Sequence, residues 1–469
     1  MKPPGAISKS RLEAHLRTLC ADIGPRLAGS KSERQAAEYI ADRGRHAGVQ
    51  VAIETYPVRE RAVVRERLEV RIGNRWQRFP GSLFSNTRGT DGRVVQAPLV
   101  FFEGPTEYQR RDLSHLRGKA VVHLGCHIES RQAYRRLLAA RPSFLLFVDI
   151  RFPGTTALAD GMFPSYTSEY GSVPTVNVAF QDAWRWKAEG AAAARLRVDG
   201  GMRESKSQNV VLDLPGKAPR AGLLLVGGHH DTQADSPGAD DNASGAAGVL
   251  ELARVLAPLP RHRSIRLISF GAEEQLSVGS AAYVRRHRAE LRSRGRVMFN
   301  LDSYASHLGW TEFQYNGDPA VGRFFAPFFE RERCWVRFRN VTVPYADHFP
   351  FAACGVPGGF LYRQNCIGGR FFHHRPDDDL TRVSTSLMAS LLEAVARALT
   401  RLAQPGPLPF PGRIPRDQAK QIAVLWQDLF GGWQTESTRD EPVRKRIGMK
   451  PRITWILILR SGSIREVGN

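Results

Sequence analysis

The stretch 223-LLLVGGHHDTQADSPGADDNASGAAGVLELARVL-256 reads in one pass as a buried strand, a polar loop and a helix. Its four leading apolar residues run without alternation into Gly227 and Gly228, the pattern of a strand covered on both faces. Beyond the loop, apolar and small residues recur at helical spacing up to Leu256. The alternation continues downstream with SIRLISFG from Ser264, GSAAYVRRHRAEL from Gly279 and VMFNLD from Val297. STSLMASLLEAVARALTRLA, from Ser384, supplies a closing helix. Residues 205–404 are therefore expected to form the main α/β domain, a mostly parallel mixed sheet with helices on both faces.

Upstream, residues 1–64 read as an N-terminal part of the same domain. They hold two helical segments around IGPRLAGS, with Ser30 and Ser32 as candidate caps, then the strand-like VAIETYPV. From 65 to 204 the chain changes to short apolar runs broken by Gly, Pro and Asn: LVFFEGP, KAVVHLG, SFLLFVDI and VPTVNVA. This predicts an inserted, smaller β-rich domain that either caps a cleft or mediates a homodimer. Residues 405–469 read as a PGPLPFPGRIP linker and a tail with no assigned role, whose ITWILIL run has the look of a short strand or an aggregation-prone segment.

A chain of 469 residues with 42% hydrophobic content can bury a large core. Its five cysteines, Cys20, Cys126, Cys334, Cys354 and Cys366, are scattered and lack any CxxC spacing, which argues against a disulfide framework or a thiolate zinc site. The start, MKPPGAISKSRLEAHL, lacks the apolar run of a secretory signal, and no stretch approaches the ~20 apolar residues of a membrane span. As written the protein is expected to be cytoplasmic; a leader missing from the sequence would make it secreted or periplasmic. A formal charge of +21 raises the question of nucleic acid. The arginines are dispersed over what read as solvated faces, without a zinc finger or an RNA-binding signature, so no specific nucleic-acid partner is expected.

Three of the apolar strands end in histidine or acid: at His229, His230 and Asp231, at Glu273 and Glu274, and at Asp302. In open α/β sheets the carboxyl ends of strands form the ligand crevice. The loop SPGADDNASG adds Asp240 and Asp241, and the turn FFHHRPDDDL adds His373 and His374. Histidines and carboxylates without thiolate suit a hydrolytic zinc, cobalt or manganese centre.

GGHHDT, PGADDNASG, GAEEQLSVGSAAY, NLDS, ADHFPF and HHRPDDDL, in that order, resemble the co-catalytic zinc aminopeptidase family that also contains glutamate carboxypeptidase. IGPRLAGS and SQNVVLDLPG resemble it as well, and the insertion resembles a protease-associated domain. The resemblance implies two zinc ions per chain bridged by Asp241. His229 and Asp302 complete one site, Glu274 and His374 the other. Three carboxylates and a bridging hydroxide then balance the four positive charges. A water acidified by metal to a pKa near ~7 is a nucleophile at neutral pH, and Glu273, left unligated, is the implied general base and acid.

Asp231 is expected to orient the His229 imidazole, and the Asp241–Asn242 peptide to be cis. Tyr345 and His373 are the candidate donors to the developing oxyanion. Asp240 is read as a neighbour of the bridge, and Asp378 as a structural acid. The sequon at Asn242 falls inside the metal loop and is not read as a glycosylation site. An aminopeptidase acting on peptide substrates is the leading expectation. A carboxypeptidase or dipeptidase on the same scaffold is the first alternative, a single-zinc glutaminyl cyclase the second, and a scaffold protein that has lost its ligands the third.

Overall fold

The computed structural model describes residues 5–125, 127–128, 130–151, 154–365 and 371–433. Cys126, Cys366 and the ITWILIL run lie outside the described residues. Fourteen strands form one continuous sheet: β1 (Gln50–Ile72), β2 (Arg75–Phe79), β3 (Ser82–Leu83), β4 (Val95–Glu103), β5 (Ala120–Leu124), β6 (Phe144–Asp149), β7 (Thr175–Ala179), β8 (Ala193–Leu214), β9 (Leu223–His229), β10 (Ser264–Phe270), β11 (Gly295–Leu301), β12 (Trp310–Asn316), β13 (Val336–Asn340) and β14 (Gly358–Gln364). The order is β13-β12-β14-β11-β9-β10-β8-β4-β5-β6-β7-β3, with β1 on β2 and β8.

At the centre β9 lies parallel to both β10 and β11, and every one of its residues is buried. The helices Ser244–Leu256 and Thr385–Leu402 cover one face with a core of Leu, Val and Ala. The other face is covered by the helices Val278–Arg286 and His348–Ala353. Helix Ser244–Leu256 comes so close that a Cβ on Gly228 would sit 2.9 Å from backbone of Gly245, and one on Gly245 2.4 Å from the Leu301 carbonyl. Only glycine allows that approach, and it draws the loop before this helix down onto the strand ends.

β1 and β8 form a long antiparallel ribbon, from Gln50 opposite Asp213 to Arg71 opposite Ala193, interrupted near Val63 and Arg65. The expected boundaries at 64/65 and 204/205 fall inside these two strands, so the insert grows out of the main sheet rather than from loops. Within it β4, β5, β6 and β7 run parallel; the helix Arg131–Ala139 joins β5 to β6, Pro164–Tyr170 lies between β6 and β7, and Phe180–Ala188 leads from β7 to β8. The insert is thus itself α/β, more helical than its strand-dominated reading: RQAYRRLLA has an apolar stripe, Ala133, Tyr134 and Leu137, too narrow to stand out among arginines.

The segment after the 405–415 linker also differs from its reading as an unplaced tail. Arg416–Phe430 is a helix whose Ile422, Trp426, Leu429 and Phe430 pack against Phe349 and Ala352 of the main domain and Phe163, Tyr134 and Tyr166 of the insert. Arg131 donates from Nε to the Asp428 carbonyl at 3.0 Å, and the Tyr166 hydroxyl donates to its carboxylate at 3.2 Å.

Candidate metal centre

His229 ends β9 with its imidazole fully buried, and three carboxylates face its Nε2: Asp241 at 3.2 Å, Glu273 at 3.8 Å and Asp302 at 3.9 Å. Nε2 makes no hydrogen bond to any of them. Asp241 turns its other oxygen, Oδ2, to two histidines, His373 Nδ1 at 3.0 Å and His374 Nε2 at 3.8 Å. His374 Nε2 also meets Glu274 Oε2 at 2.9 Å. His229, Asp241 and Asp302 make one three-atom cluster and Asp241, His373 and His374 another, with Asp241 shared. Two overlapping nests of histidine nitrogen and carboxylate oxygen, with no thiolate, suit a pair of borderline-soft divalent cations.

Burial opposes charge on His229, yet Asp231, Asp241 and Asp302 raise its pKa well above the ordinary value. His374 is raised too: burial opposes this, and Glu274 outweighs it. Burial drives Glu273 and Glu274 up. So many carboxylates around two imidazoles form a site short of positive charge, which divalent cations would supply.

The expected residues converge, with differences of detail. The carboxylate of Asp231 stands 3.4 Å from His229 Nδ1, and its backbone carbonyl is nearer, at 3.2 Å. That carboxylate is spent mainly on the β10 turn, accepting the amides of Glu273 at 3.0 Å and Glu274 at 3.1 Å. Glu273 accepts a hydrogen bond from Ser277 Oγ at 3.0 Å, which aims it without neutralising it. The Asp241–Asn242 peptide is cis. Asn242 is fully buried: its Oδ1 accepts the Gly245 amide at 2.7 Å and its Nδ2 donates to the Leu301 carbonyl, so its side chain is structural. Asp240 Oδ1 accepts the Ala305 amide at 2.7 Å and belongs to the loop's framework. His230 is a core histidine, held by Ser269 at 3.1 Å.

Tyr345 stacks on His127 of the insert, ring centroids 5.7 Å apart and 15° between planes. His127 in turn faces Asp160 at 3.8 Å, and Arg151 pairs with Asp160 at 2.7 Å. Burial works against ionisation of Asp160, but His127 and Arg151 hold its carboxyl well below the carboxylate range. Its field reaches His374. The insert therefore contributes charge and an aromatic stack to the edge of the centre.

Three supports were not singled out from sequence. Arg26, fully buried, donates to the carbonyls of His230 at 2.7 Å, Pro237 at 2.8 Å and Gly238 at 3.1 Å, tying both ends of the metal loop together. Glu33 accepts the Ala272 amide at 3.1 Å behind Glu273. Asp347, from ADHFPF, is wholly buried, and burial pushes its carboxyl up to about 8. The only signal in sequence was an acid or arginine inside an otherwise small or apolar run.

The Peptidase family M28 profile matches residues 209–399, a span that contains every residue of the two nests and leaves the insert outside. The chain is 24% identical to Aminopeptidase YwaD of Bacillus subtilis over 423 residues, 87% of this chain and 86% of that protein. It is 24% identical to Carboxypeptidase Q of Homo sapiens over 397 residues, 80% and 81% of the two. A solved zinc aminopeptidase from Bacillus subtilis shares the fold with a TM-score of 0.70 at 20% identity, over 89% of this chain and 100% of that one.

Proposed function

This chain belongs to peptidase family M28 through residues 209–399, and on that premise we propose that it is a zinc-dependent exopeptidase, an aminopeptidase releasing N-terminal residues, with two zinc ions per chain. The observation that carries the reading is Asp241, whose Oδ1 faces His229 while its Oδ2 faces the His373–His374 pair. His229, Asp241 and Asp302 would hold one ion; Asp241, Glu274 and His374 would hold the other. When bound, the pair supplies Lewis acidity and an acidified water at neutral pH.

Glu273 stands 3.8 Å from His229 Nε2 yet is oriented by Ser277. It takes the proton of the attacking water and returns it to the leaving amine nitrogen as the C–N bond breaks. Asp231 is a positioning residue, since it holds the backbone of Glu273 and Glu274 and flanks His229. Tyr345 and His373 are proposed as donors to the developing oxyanion, which such a donor stabilises by ~3 kcal/mol. Likeness to Carboxypeptidase Q supports a second reading, a carboxypeptidase or dipeptidase on the same scaffold.

Zinc is titrated into chelated protein while cleavage of aminoacyl p-nitroanilides, their N-acetylated forms and free dipeptides is followed, for wild type and Glu273→Gln. The aminopeptidase reading expects activity to need two equivalents and to vanish on N-acetylation. Glu273→Gln is expected to lower kcat ~100-fold or more with zinc content unchanged. Cleavage of the free dipeptides alone moves the assignment to a carboxypeptidase or dipeptidase, and absence of stoichiometric zinc refutes both.

A further inference from the structure

A cavity of about 590 Å3 opens from His374 and Pro376 towards the insert, which supplies its far wall from Glu66, from residues 78–82 and from Thr156, Ala157 and Ala159. Its volume is that of a small-ligand site. Apart from His374, three charged side chains line it: Glu66, Arg78 and Asp235. Glu66 is committed, pairing with Arg61 at 2.6 Å and accepting the Leu83 amide. Arg78 has no ion-pair partner among the described residues. Glu69, opposite it in the β1–β2 ladder, is taken by Arg67 at 2.9 Å and Arg195 at 2.7 Å. Asp235, exposed in the loop after β9, likewise has no ion-pair partner among the described residues.

An uncommitted cation and an uncommitted carboxylate thus face one cavity from different walls, with Phe79, Pro80, Ala157 and Ala159 as apolar lining. A guanidinium is charged at every working pH and matches a carboxylate with two parallel hydrogen bonds. A carboxylate is the complement of an ammonium. A peptide of two or three residues spans roughly 7–11 Å and carries those two charges at its ends.

We propose that Asp235 and Arg78 are specificity-determining residues that read the charged ends of a short peptide, Asp235 the α-ammonium and Arg78 a carboxylate on the leaving side. The proposal rests on the exopeptidase reading and names its substrate class: di- and tripeptides with an anionic leaving portion. The insert is then a selector that reaches into the substrate cleft from outside the domain that does the chemistry.

The test is steady-state kinetics on the zinc-loaded full chain with Leu-Ala, Leu-Ala-amide, Leu-Asp-amide and leucine p-nitroanilide, for wild type, Arg78→Ala, Arg78→Lys and Asp235→Asn. Arg78→Ala is expected to raise KM for Leu-Ala roughly five- to tenfold more than for Leu-Ala-amide, in KM rather than kcat, the mark of lost ground-state binding at an exposed site. Arg78→Lys recovers part of the loss. An effect on Leu-Asp-amide equal to that on Leu-Ala shows that an acidic side chain serves as well as the terminal carboxylate. Asp235→Asn raises KM for all four substrates, since all carry the free amine. Equal effects of Arg78→Ala on Leu-Ala and Leu-Ala-amide, or none, overturn the proposal while p-nitroanilide cleavage upholds the exopeptidase. Failure of wild type to cleave any of the four overturns both.

Discussion

Asp378 grips the backbone of Asp241 from behind the metal loop: its Oδ2 accepts the Asp241 amide at 2.9 Å while Oδ1 accepts that of Asp240 at the same distance. The carboxylate that bridges the two nests is thereby aimed by a second carboxylate 137 residues later in the chain. Asp378 is fully buried, and burial and the nearby Asp240 raise its pKa well above the carboxylate range. Asp378→Ala leaves two buried amides without acceptors, at ~1–3 kcal/mol each. Zinc affinity, measured by competition with a chelating dye, is expected to fall ~10–100-fold. An unchanged affinity would show that the loop holds its shape alone.

Chelation is expected to lower Tm, because a bound ion stabilises the folded chain by RT ln(1 + [L]/Kd), about 2.7 kcal/mol at 100-fold excess over Kd. Without cations Asp241, Glu274 and Asp302 are left repelling one another in a closed site. Recovery of Tm after two equivalents of zinc, followed by scanning fluorimetry, supports the paired centre. Recovery complete at one equivalent contradicts it.

His348 is buried beneath the sheet against Phe360, its ring nitrogens without hydrogen-bond partners, and burial pushes its pKa down to about 3. The unfolded side chain titrates near ~6.5. Below that value the unfolded state gains a proton that the folded state refuses, so the stability from neutral His348, complete above pH ~6.5, is lost as pH falls towards 3. His348→Phe is expected to flatten the fall in Tm between pH 6.5 and 4. Parallel curves for the two proteins would exclude His348 as a source of acid sensitivity.

Trp426, 2% exposed, is the largest buried side chain of the helix Arg416–Phe430 and lies under the guanidinium of Arg285 at 5.0 Å. Trp426→Ala is expected to destabilise by ~3–5 kcal/mol. Limited proteolysis is expected to cut the insert and this helix before the main sheet, whose core does not include them. Simultaneous cutting of all regions would show that they unfold as one.

Three of the proposed ligands were legible because they sit where an apolar run stops: His229 after LLLVGG, Glu274 after LISFGAE, Asp302 after VMFNL; Asp241 and His374 lie in a loop and a turn and were singled out only through the resemblance. A strand announces itself by composition, and its carboxyl end follows by counting. Arg26 and Glu33 were not legible as supports of this geometry, because each acts on backbone far along the chain and that pairing exists only after folding; Asp378 was read as a structural acid, but not as the acceptor of the Asp240 and Asp241 amides. The same holds for the stacking of His127 on Tyr345 and for the cavity, which depend on how the insert docks. The helix Arg416–Phe430 was missed because a Pro-rich linker set it apart from the patterned domain, and its apolar stripe has meaning only against Phe349 and Ala352 of the main domain and Tyr134 and Tyr166 of the insert.

The ribbon of β1 and β8 makes the insertion an overgrown hairpin. Glu60 faces Arg203 directly across the ladder, and the two already pair at 2.8 Å. Everything between them leaves and re-enters the peptidase fold through neighbouring strands, at a point that a two-residue turn can close. A gene could gain or shed the insert at that point without rewiring the order of strands that carries His229, Glu274 and Asp302. Loss of the insert would strip the helix Arg416–Phe430 of the cover given by Tyr134, Phe163 and Tyr166, so the two segments are expected to be inherited together.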